Sequence, residues 1–264
     1  GGTTGEFYAQ DDKTYKKITK VACQEAHAIG LPVQIGVSAL STLTVIKRIK
    51  VAKKYGADGL QVALPFWLEL KDDEVKRFVH EIADAAGDTP IILYLTGRSK
   101  RKIGPALFGQ LAKEVPAFVG TKDTGLDVKG VKALLRKAPD IAIFGGEDFY
   151  DKLPAGGKGG YCSVTGFNAP KIVELYKLCV AGKLPEAKPL NDAVHNFLYG
   201  ALVPMVSKQG LWDSAIDRIQ RVAGGGKVGL RCQSPYRSGT KQDVKRVIAW
   251  CRKNTPELLP AHLQ

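Results

Sequence analysis

The sequence lacks long apolar runs. None approaches the roughly 18 residues that a helix needs to cross a bilayer, and no basic-then-apolar leader precedes the first segment. These absences argue against a membrane-spanning or exported protein. We therefore expect a cytoplasmic protein that has no membrane partner.

Cysteines are few, odd in number and widely spaced, and no two of them form a C-x-x-C pair. They are Cys23, Cys162, Cys179, Cys232 and Cys251. This pattern predicts reduced thiols, and neither a disulfide framework nor a zinc site. The four histidines show no ligand spacing either, so the sequence indicates no metal and no other cofactor.

Acidic residues are in deficit, because 26 Asp and Glu face 39 Lys and Arg, which gives a formal net charge of +13. Such an excess raises the question of a nucleic-acid partner. A dense basic cluster, however, lies on a predicted helix among apolar residues, which indicates an ordinary solvated face. The cluster consists of Lys47, Arg48, Lys50, Lys53 and Lys54. Nucleic acid is therefore a disfavoured partner.

Short β-branched segments alternate with helical stretches, as in successive βα units around a parallel sheet. Most predicted strands are near-continuous apolar runs, as expected of strands buried on both faces. The predicted strands are Val33–Val37, Leu60–Leu64, Ile91–Leu95, Ala117–Thr121, Ile141–Phe144 and Tyr161–Val164. The predicted helices are Lys13–Ala28, Thr42–Tyr55, Asp72–Ala86, Pro105–Val115, Val128–Lys137 and Lys171–Val180.

The alternation stops after Gly182, and residues 185–250 are predicted to form helices with a loop near Gly224–Gly226. We therefore expect an α/β part over residues 1–182 and a helical extension over residues 183–264. The glycine run from Gly156 to Gly160 precedes a predicted strand instead of linking a strand to a helix. It is interpreted as a tight turn and not as a phosphate loop.

Six strands suit either an open doubly wound sheet or an incomplete eight-stranded barrel. The chain opens with the loop Gly1-Gly2-Thr3-Thr4-Gly5-Glu6, without a preceding strand or an initiating Met. We therefore expect that an N-terminal piece is absent from this sequence.

Functional groups of parallel α/β folds gather where strands end. Lys122 follows the apolar run Ala117–Thr121, which would aim its amine into the interior. Since desolvation favours the neutral amine, a buried lysine there could attack a carbonyl. A lysine that snorkels from the strand end or pairs with Asp123 is an equally acceptable interpretation.

Three other residues could assist such a nucleophile. Tyr94 ends a strand at the corresponding depth and could relay a proton. Thr3 and Thr4 lie between glycines and could offer hydroxyl and backbone N–H groups to a carboxylate. Each has a plainer alternative, since Tyr94 could be a buried aromatic and the threonines could be ordinary turn residues.

Together these segments resemble the dihydrodipicolinate synthase and N-acetylneuraminate lyase family of class I pyruvate-type aldolases. Gly2-Thr3-Thr4-Gly5-Glu6 is similar to the family's G-T-T-G-E loop, Ile92-Leu93-Tyr94 to its tyrosine strand, and Gly120–Gly125 to its Schiff-base lysine segment. The resemblance implies a (β/α)8 TIM barrel with a C-terminal helical extension. It also implies that the N-terminal βαβ portion of the barrel is missing.

The resemblance also implies roles for individual residues. Lys122 would form a Schiff base with pyruvate or a related 2-oxo acid, Thr3 and Thr4 would hold its carboxylate, and Tyr94 would relay protons with help from the Thr3 hydroxyl. Three further substrate-binding residues are implied, namely Cys162, Trp67 and Arg98. The partners would be pyruvate, a second substrate of the aldehyde type, and further copies of the chain in a tetramer or dimer.

Two departures bear on the second substrate. Where dihydrodipicolinate synthases have Pro-Tyr-Tyr, this chain has Pro65-Phe66-Trp67, which offers no hydroxyl. This segment is similar to that of aromatic hydratase-aldolases, so Trp67 could stack on a substrate ring; packing at a subunit interface is the alternative. The usual Asn-x-Pro after the tyrosine is also absent, which leaves Arg98 as the nearest candidate to bind a substrate carboxylate.

The sequence thus predicts a lyase that forms a lysine Schiff base and performs aldol cleavage or condensation, as an aldolase or hydratase-aldolase. Dihydrodipicolinate synthase and sugar-acid dehydratase of the same family are the alternatives. A non-catalytic 2-oxo acid sensor or a nucleic-acid binder that reuses the barrel is the competing hypothesis from another class.

Overall fold

The computed structural model describes residues 1–264, which form six strands and eleven α-helices. The strands are β1 Gln34–Gly36, β2 Gly59–Ala63, β3 Ile91–Leu95, β4 Phe118–Asp123, β5 Ala142–Gly145 and β6 Gly159–Gly160. The first six helices are α1 Asp12–Ala28, α2 Thr42–Lys54, α3 Asp72–Ala86, α4 Pro105–Glu114, α5 Val128–Lys137 and α6 Phe149–Lys152. The others are α7 Thr165–Val180, α8 Leu184–Phe197, α9 Val203–Gln209, α10 Asp213–Ala223 and α11 Lys241–Asn254.

The chain divides into two compact units. The first unit comprises Gly1–Gly2, Phe7–Gly145 and Ala155–Lys158, and the second comprises Thr3–Glu6, Gly146–Pro154 and Gly159–Gln264. The predicted boundary at residue 182 does not coincide with a boundary between these units. As a division into domains, residues 1–182 and 183–264 stay a prediction.

The sheet contains six strands in chain order, from β1 to β6, and the four pairings from β1 to β5 are parallel. The predicted α/β fold with a parallel sheet is therefore confirmed. Helices α3 and α5 have the predicted bounds, and the first five strands lie where the apolar runs indicated them.

The sixth strand was predicted wrongly. It is Gly159–Gly160, inside the glycine run that was interpreted as a turn, and not Tyr161–Val164. A Cβ added to Gly160 would lie 2.7 Å from the Phe149 Cβ, so only glycine allows this approach. Cys162 and Val164 lie outside any strand but are buried in the core of the second unit, which explains why their segment is apolar without being a strand.

In the first unit, alternate strand residues pack against the helices in one core, as Leu60, Val62 and Leu93 do. Phe118 of β4 meets Phe108 of α4 edge to face, with ring centroids 4.9 Å apart. Because side chains alternate along a strand, the residues between these core positions occupy the opposite face of the sheet.

The basic cluster on helix α2 differs from its prediction as a fully solvated face. Lys47, Lys50, Lys53 and Lys54 are exposed as predicted, but Arg48 is buried. Its guanidinium donates to the backbone carbonyls of Ser38 and Phe7, and burial lowers its pKa. The basic cluster on this helix is therefore smaller than the sequence suggested.

In the second unit, the helical stretch after Gly182 is confirmed, and the rings of Phe167 and Phe197 stack at 4.7 Å. Helix α7 begins six residues earlier than predicted and is interrupted at Asn168, where the backbone is non-helical. The buried Asn168 amide donates to the carbonyls of Leu258 and Leu259, which holds the C-terminal segment against this break.

All five cysteine thiols are free and buried, and burial raises the pKa of each. None of the helices is both long enough and apolar enough to cross a bilayer.

Gly120→Ala should destabilise the sheet. The added Cβ would lie 2.8 Å from the backbone oxygen of Ala142 on β5, so the strands must separate. We expect the free energy of unfolding in urea to fall by about 1–3 kcal/mol. Gly97→Ala is the control, since its Cβ meets no atom within 4 Å. An unfolding free energy equal to that of the control would contradict this account of Gly120.

Candidate active site

One row of register-paired residues crosses the middle of the sheet. Ala63 pairs with Tyr94, Tyr94 with Lys122, and Lys122 with Phe144. In parallel strands, residues paired in register point to the same face. Since Leu93 is in the core beneath the helices, Tyr94 and its row occupy the opposite face.

An extra residue in β4 produces this alignment. Ile91 pairs with Phe118, whereas Ile92 pairs with Gly120, so Val119 is an additional residue on one strand. Such a bulge shifts every later pair by one position. Without it, Tyr94 would pair with Thr121, and Lys122 would pair with Leu95.

The lysine and the tyrosine are in direct contact. Nζ of Lys122 lies 4.2 Å from the centroid of the Tyr94 ring, which is within the range of a cation–π interaction. Tyr94 is 7% exposed and Lys122 is half-buried. Lys122 lies inside β4, next to its last residue Asp123, whereas the predicted strand ended at Thr121. The structure thus brings these two predicted catalytic residues together.

The residues on either side of Lys122 have structural roles. The Thr121 hydroxyl donates to the carbonyl of Leu93 at 3.0 Å, which ties β4 to β3 on the helix-facing side. The Asp123 carboxylate accepts the N–H of Gly125 at 2.8 Å and so stabilises the turn that follows the strand. Both neighbours therefore fix the backbone that carries the amine.

The loop from Thr3 to Glu6 belongs to the second unit. The Thr4 hydroxyl donates to the carboxylate of Asp217 on α10, and the N–H of Glu6 donates to the carbonyl of Thr3 at 3.0 Å. Glu6 is buried, while Thr3 is half-buried and Thr4 is exposed. No local sequence pattern indicates the hydrogen bond to Asp217, because the two residues are 213 positions apart.

Cys162 is also in the second unit. Burial, followed by the negative charge of Glu147, raises the pKa of its thiol to about 12. Glu147 itself accepts the N–H and the hydroxyl of Ser163, at 2.8 and 2.6 Å. Cys162 therefore stays a neutral thiol at physiological pH and can offer a weak hydrogen bond, but no thiolate nucleophile.

Trp67 and Arg98 lie on loops of the first unit that follow β2 and β3. The Trp67 side chain is 74% exposed, and Nζ of Lys100 lies 5.8 Å from its ring and donates to its carbonyl at 2.8 Å. Arg98 is exposed in a short 3-10 turn, where its N–H donates to the Thr96 hydroxyl. No sequence pattern indicates this contact between Lys100 and Trp67. The roles of Trp67 and Arg98 stay predictions.

Comparisons with known proteins agree with the motifs. The sequence model of the Dihydrodipicolinate synthetase family matches residues 1–207. The 4-hydroxy-tetrahydrodipicolinate synthase of Thermodesulfovibrio yellowstonii is 34% identical over 195 residues, which are 72% of this chain and 66% of that protein. The N-acetylneuraminate lyase of Pasteurella multocida is 29% identical over 206 residues, which are 76% of this chain and 69% of that protein.

A second synthase, from Wolinella succinogenes, is 28% identical over 74% of this chain and 66% of its own length. The matched segment thus spans just under two thirds of both synthases.

Solved structures share the fold. A prophage protein of the dihydrodipicolinic acid synthase family from E. coli K12, solved in complex with pyruvate, superposes with a TM-score of 0.84 at 21% identity, over 96% of this chain and 84% of that one. The dihydrodipicolinate synthase of Thermotoga maritima gives a TM-score of 0.80 at 20% identity, over 98% and 86% of the two chains.

The family match covers more than half of the chain and includes the loop at Thr3, the strand of Tyr94 and the strand of Lys122. The resemblance inferred from these three segments is therefore confirmed, and the chain belongs to the dihydrodipicolinate synthetase family.

Proposed function

We propose that this protein is a class I lyase that forms a Schiff base between Lys122 and pyruvate or a related 2-oxo acid. The observation that carries the proposal is the contact of Lys122 with Tyr94, whose ring lies 4.2 Å from the amine on the same sheet face. Membership of a family whose relatives are named as synthases and lyases supports the same chemistry.

The proposed reaction begins when the neutral amine of Lys122 adds to the ketone carbon of the 2-oxo acid. A proton donated to the hydroxyl of this adduct lets it leave as water and gives a protonated imine, which withdraws electrons from the neighbouring carbon. That carbon then loses a proton to become an enamine and attacks an aldehyde, or, in reverse, a carbon–carbon bond breaks and releases the aldehyde. Hydrolysis of the imine restores the lysine.

Tyr94 is a group in contact with this amine that can carry a proton. Its hydroxyl would donate to the departing water and accept a proton from the substrate hydroxyl during cleavage. Because Tyr94 and Lys122 belong to one register row, backbone pairing fixes the separation of their Cα atoms. This is the preorganisation that proton transfer between two side chains requires.

The remaining predicted residues enter the proposal through the resemblance of their segments to the family. Thr3 and Thr4 would hold the substrate carboxylate, with the Thr3 hydroxyl aiding Tyr94. Cys162, Trp67 and Arg98 would be further substrate-binding residues. The eight-stranded barrel, the tetramer or dimer, and the cytoplasmic location also belong to this proposal.

Within this class we favour an aldolase or hydratase-aldolase. The exposed Trp67 offers a flat apolar surface for an aromatic second substrate, and Phe66 offers no hydroxyl for a proton relay. Dihydrodipicolinate synthase is the second candidate, since relatives at 28% and 34% identity are named 4-hydroxy-tetrahydrodipicolinate synthase.

Reduction with borohydride in the presence of pyruvate should attach the reduced pyruvyl group to Lys122. We expect peptide mass analysis to find the adduct on this lysine, and Lys122→Ala to abolish it. Lys129→Ala is the control, because Lys129 is an exposed lysine of the same unit. If the folded protein gives no adduct, or the adduct lies on another lysine, the proposed function is wrong.

Tyr94→Phe separates the two contributions of this residue. The ring that lies against Lys122 is kept, so the borohydride adduct should still form, although more slowly because the hydroxyl no longer assists the loss of water. Loss of the hydroxyl should lower the rate of pyruvate release from a cleavable substrate by about 10²- to 10⁴-fold. Tyr55→Phe, which removes a phenol from the end of α2, should leave that rate unchanged. A Tyr94→Phe variant with wild-type turnover would remove Tyr94 from the mechanism.

Trp67→Ala distinguishes the two interpretations of the exposed indole. If Trp67 stacks on the second substrate, kcat/KM for an aryl aldehyde relative to acetaldehyde should fall roughly 2- to 10-fold. Sedimentation velocity should show no change in oligomeric state. A shift to smaller species with an unchanged ratio would instead assign Trp67 to a subunit interface.

A further inference from the structure

Glu6 is the carboxylate of the loop that contains Thr3 and Thr4. It is 2% exposed, and its φ of 55° lies in the left-handed region, which is costly for a residue with a side chain. A carboxylate removed from water must also be compensated by partners. Partners in the second unit must therefore stabilise the buried carboxylate of Glu6 and its left-handed backbone.

The two oxygens of Glu6 bind two different parts of the second unit. Oε2 accepts a hydrogen bond from Nη2 of Arg218 on α10 at 2.7 Å. Oε1 accepts a hydrogen bond from the backbone N–H of Gln233, also at 2.7 Å. The other terminal nitrogen of Arg218 donates to the carbonyl of Gly229 at 3.1 Å. One carboxylate thus joins the loop to α10 and to residues 224–240, which connect α10 to α11.

The residue before Arg218 holds the same loop at a second point. Asp217 accepts the hydroxyl of Thr4, and its other oxygen accepts Nε2 of Gln220 at 3.0 Å. Consecutive residues of one helix therefore bind Thr4 and Glu6. Because the Thr4 hydroxyl is directed to Asp217, the donor that Thr4 can offer a carboxylate is its backbone N–H.

The conformation of Glu6 also determines that of Thr3. The N–H of Glu6 donates to the carbonyl of Thr3 at 3.0 Å, which closes a turn over the intervening residues. Any change at Glu6 that rotates its backbone would move the peptide groups of Thr3 and Thr4 with it. The position of these donors thus depends on the pairing of Glu6 far along the chain.

We infer that Glu6 and Arg218 are positioning residues, which fix the Thr3–Glu6 loop in the shape that binds the carboxylate of the 2-oxo acid. Helix α10 and the segment that connects it to α11 thereby contribute to substrate recognition, through Arg218 and through the N–H of Gln233. This inference rests on the proposed function, because it assigns the loop to carboxylate binding.

The test measures borohydride trapping on Lys122 over a series of pyruvate concentrations, with Arg218→Leu and Glu6→Gln. Glu6→Gln keeps the size of the side chain and an acceptor for Gln233, but removes the charge that pairs with Arg218. We expect the half-saturating pyruvate concentration to rise about tenfold or more in both variants, as loss of a charged hydrogen bond predicts. The trapping rate at saturating pyruvate should change by less than about threefold in both variants.

Arg221→Leu provides the matched control, since Arg221 is an exposed arginine on the same helix, and its half-saturation should equal that of the wild type. Arg218→Lys, which keeps the charge, should fall between wild type and Arg218→Leu. If Arg218→Leu does not fold, Glu6→Gln alone decides the question.

An unchanged half-saturation in folded Glu6→Gln overturns the inference while the wild-type adduct upholds the proposed function. A fall in the saturated trapping rate without a shift in half-saturation also overturns it, because the residues would then act on Lys122 chemistry and not on binding. Absence of the adduct in the wild type refutes the proposed function, and the inference with it.

Discussion

Register in a parallel sheet is the constraint on which the candidate chemistry depends. Neighbouring strands carry their side chains at common levels, and one such level contains Tyr94 and Lys122. Their contact at 4.2 Å needs no flexible loop and no long-range ion pair. The helices contribute indirectly, since the core beneath them, which includes Leu93, decides which face of β3 is left for Tyr94.

The supporting polar groups are arranged differently in the two units. In the first, backbone pairing dominates, and hydrogen bonds of Thr121 and Asp123 fix β4 around the lysine. In the second, a loop without regular structure obtains its shape from side chains of α10. A sheet can therefore present an amine with few accessory contacts, whereas a loop that presents backbone donors needs a buried, charged support.

Much of the fold could be predicted from the sequence because periodicity and stop signals are local. The bounds of α3 and α5 follow directly from their patterns, whereas the strand at Gly159–Gly160 has no apolar signal. Lys122 and Tyr94 were identified by strand ends and motifs, but the bulge at Val119 that aligns them is invisible in the sequence. The pairing of Glu6 with Arg218 joins residues 212 positions apart, which no local pattern encodes.

The five buried thiols make the protein its own reporter of local opening. A thiolate that forms only after exposure reacts with alkylating reagents at a rate set by the opening equilibrium. Cys23 is in the first unit and the other four cysteines are in the second. Mass-resolved alkylation under native conditions can therefore measure local opening in each unit separately, without any introduced label.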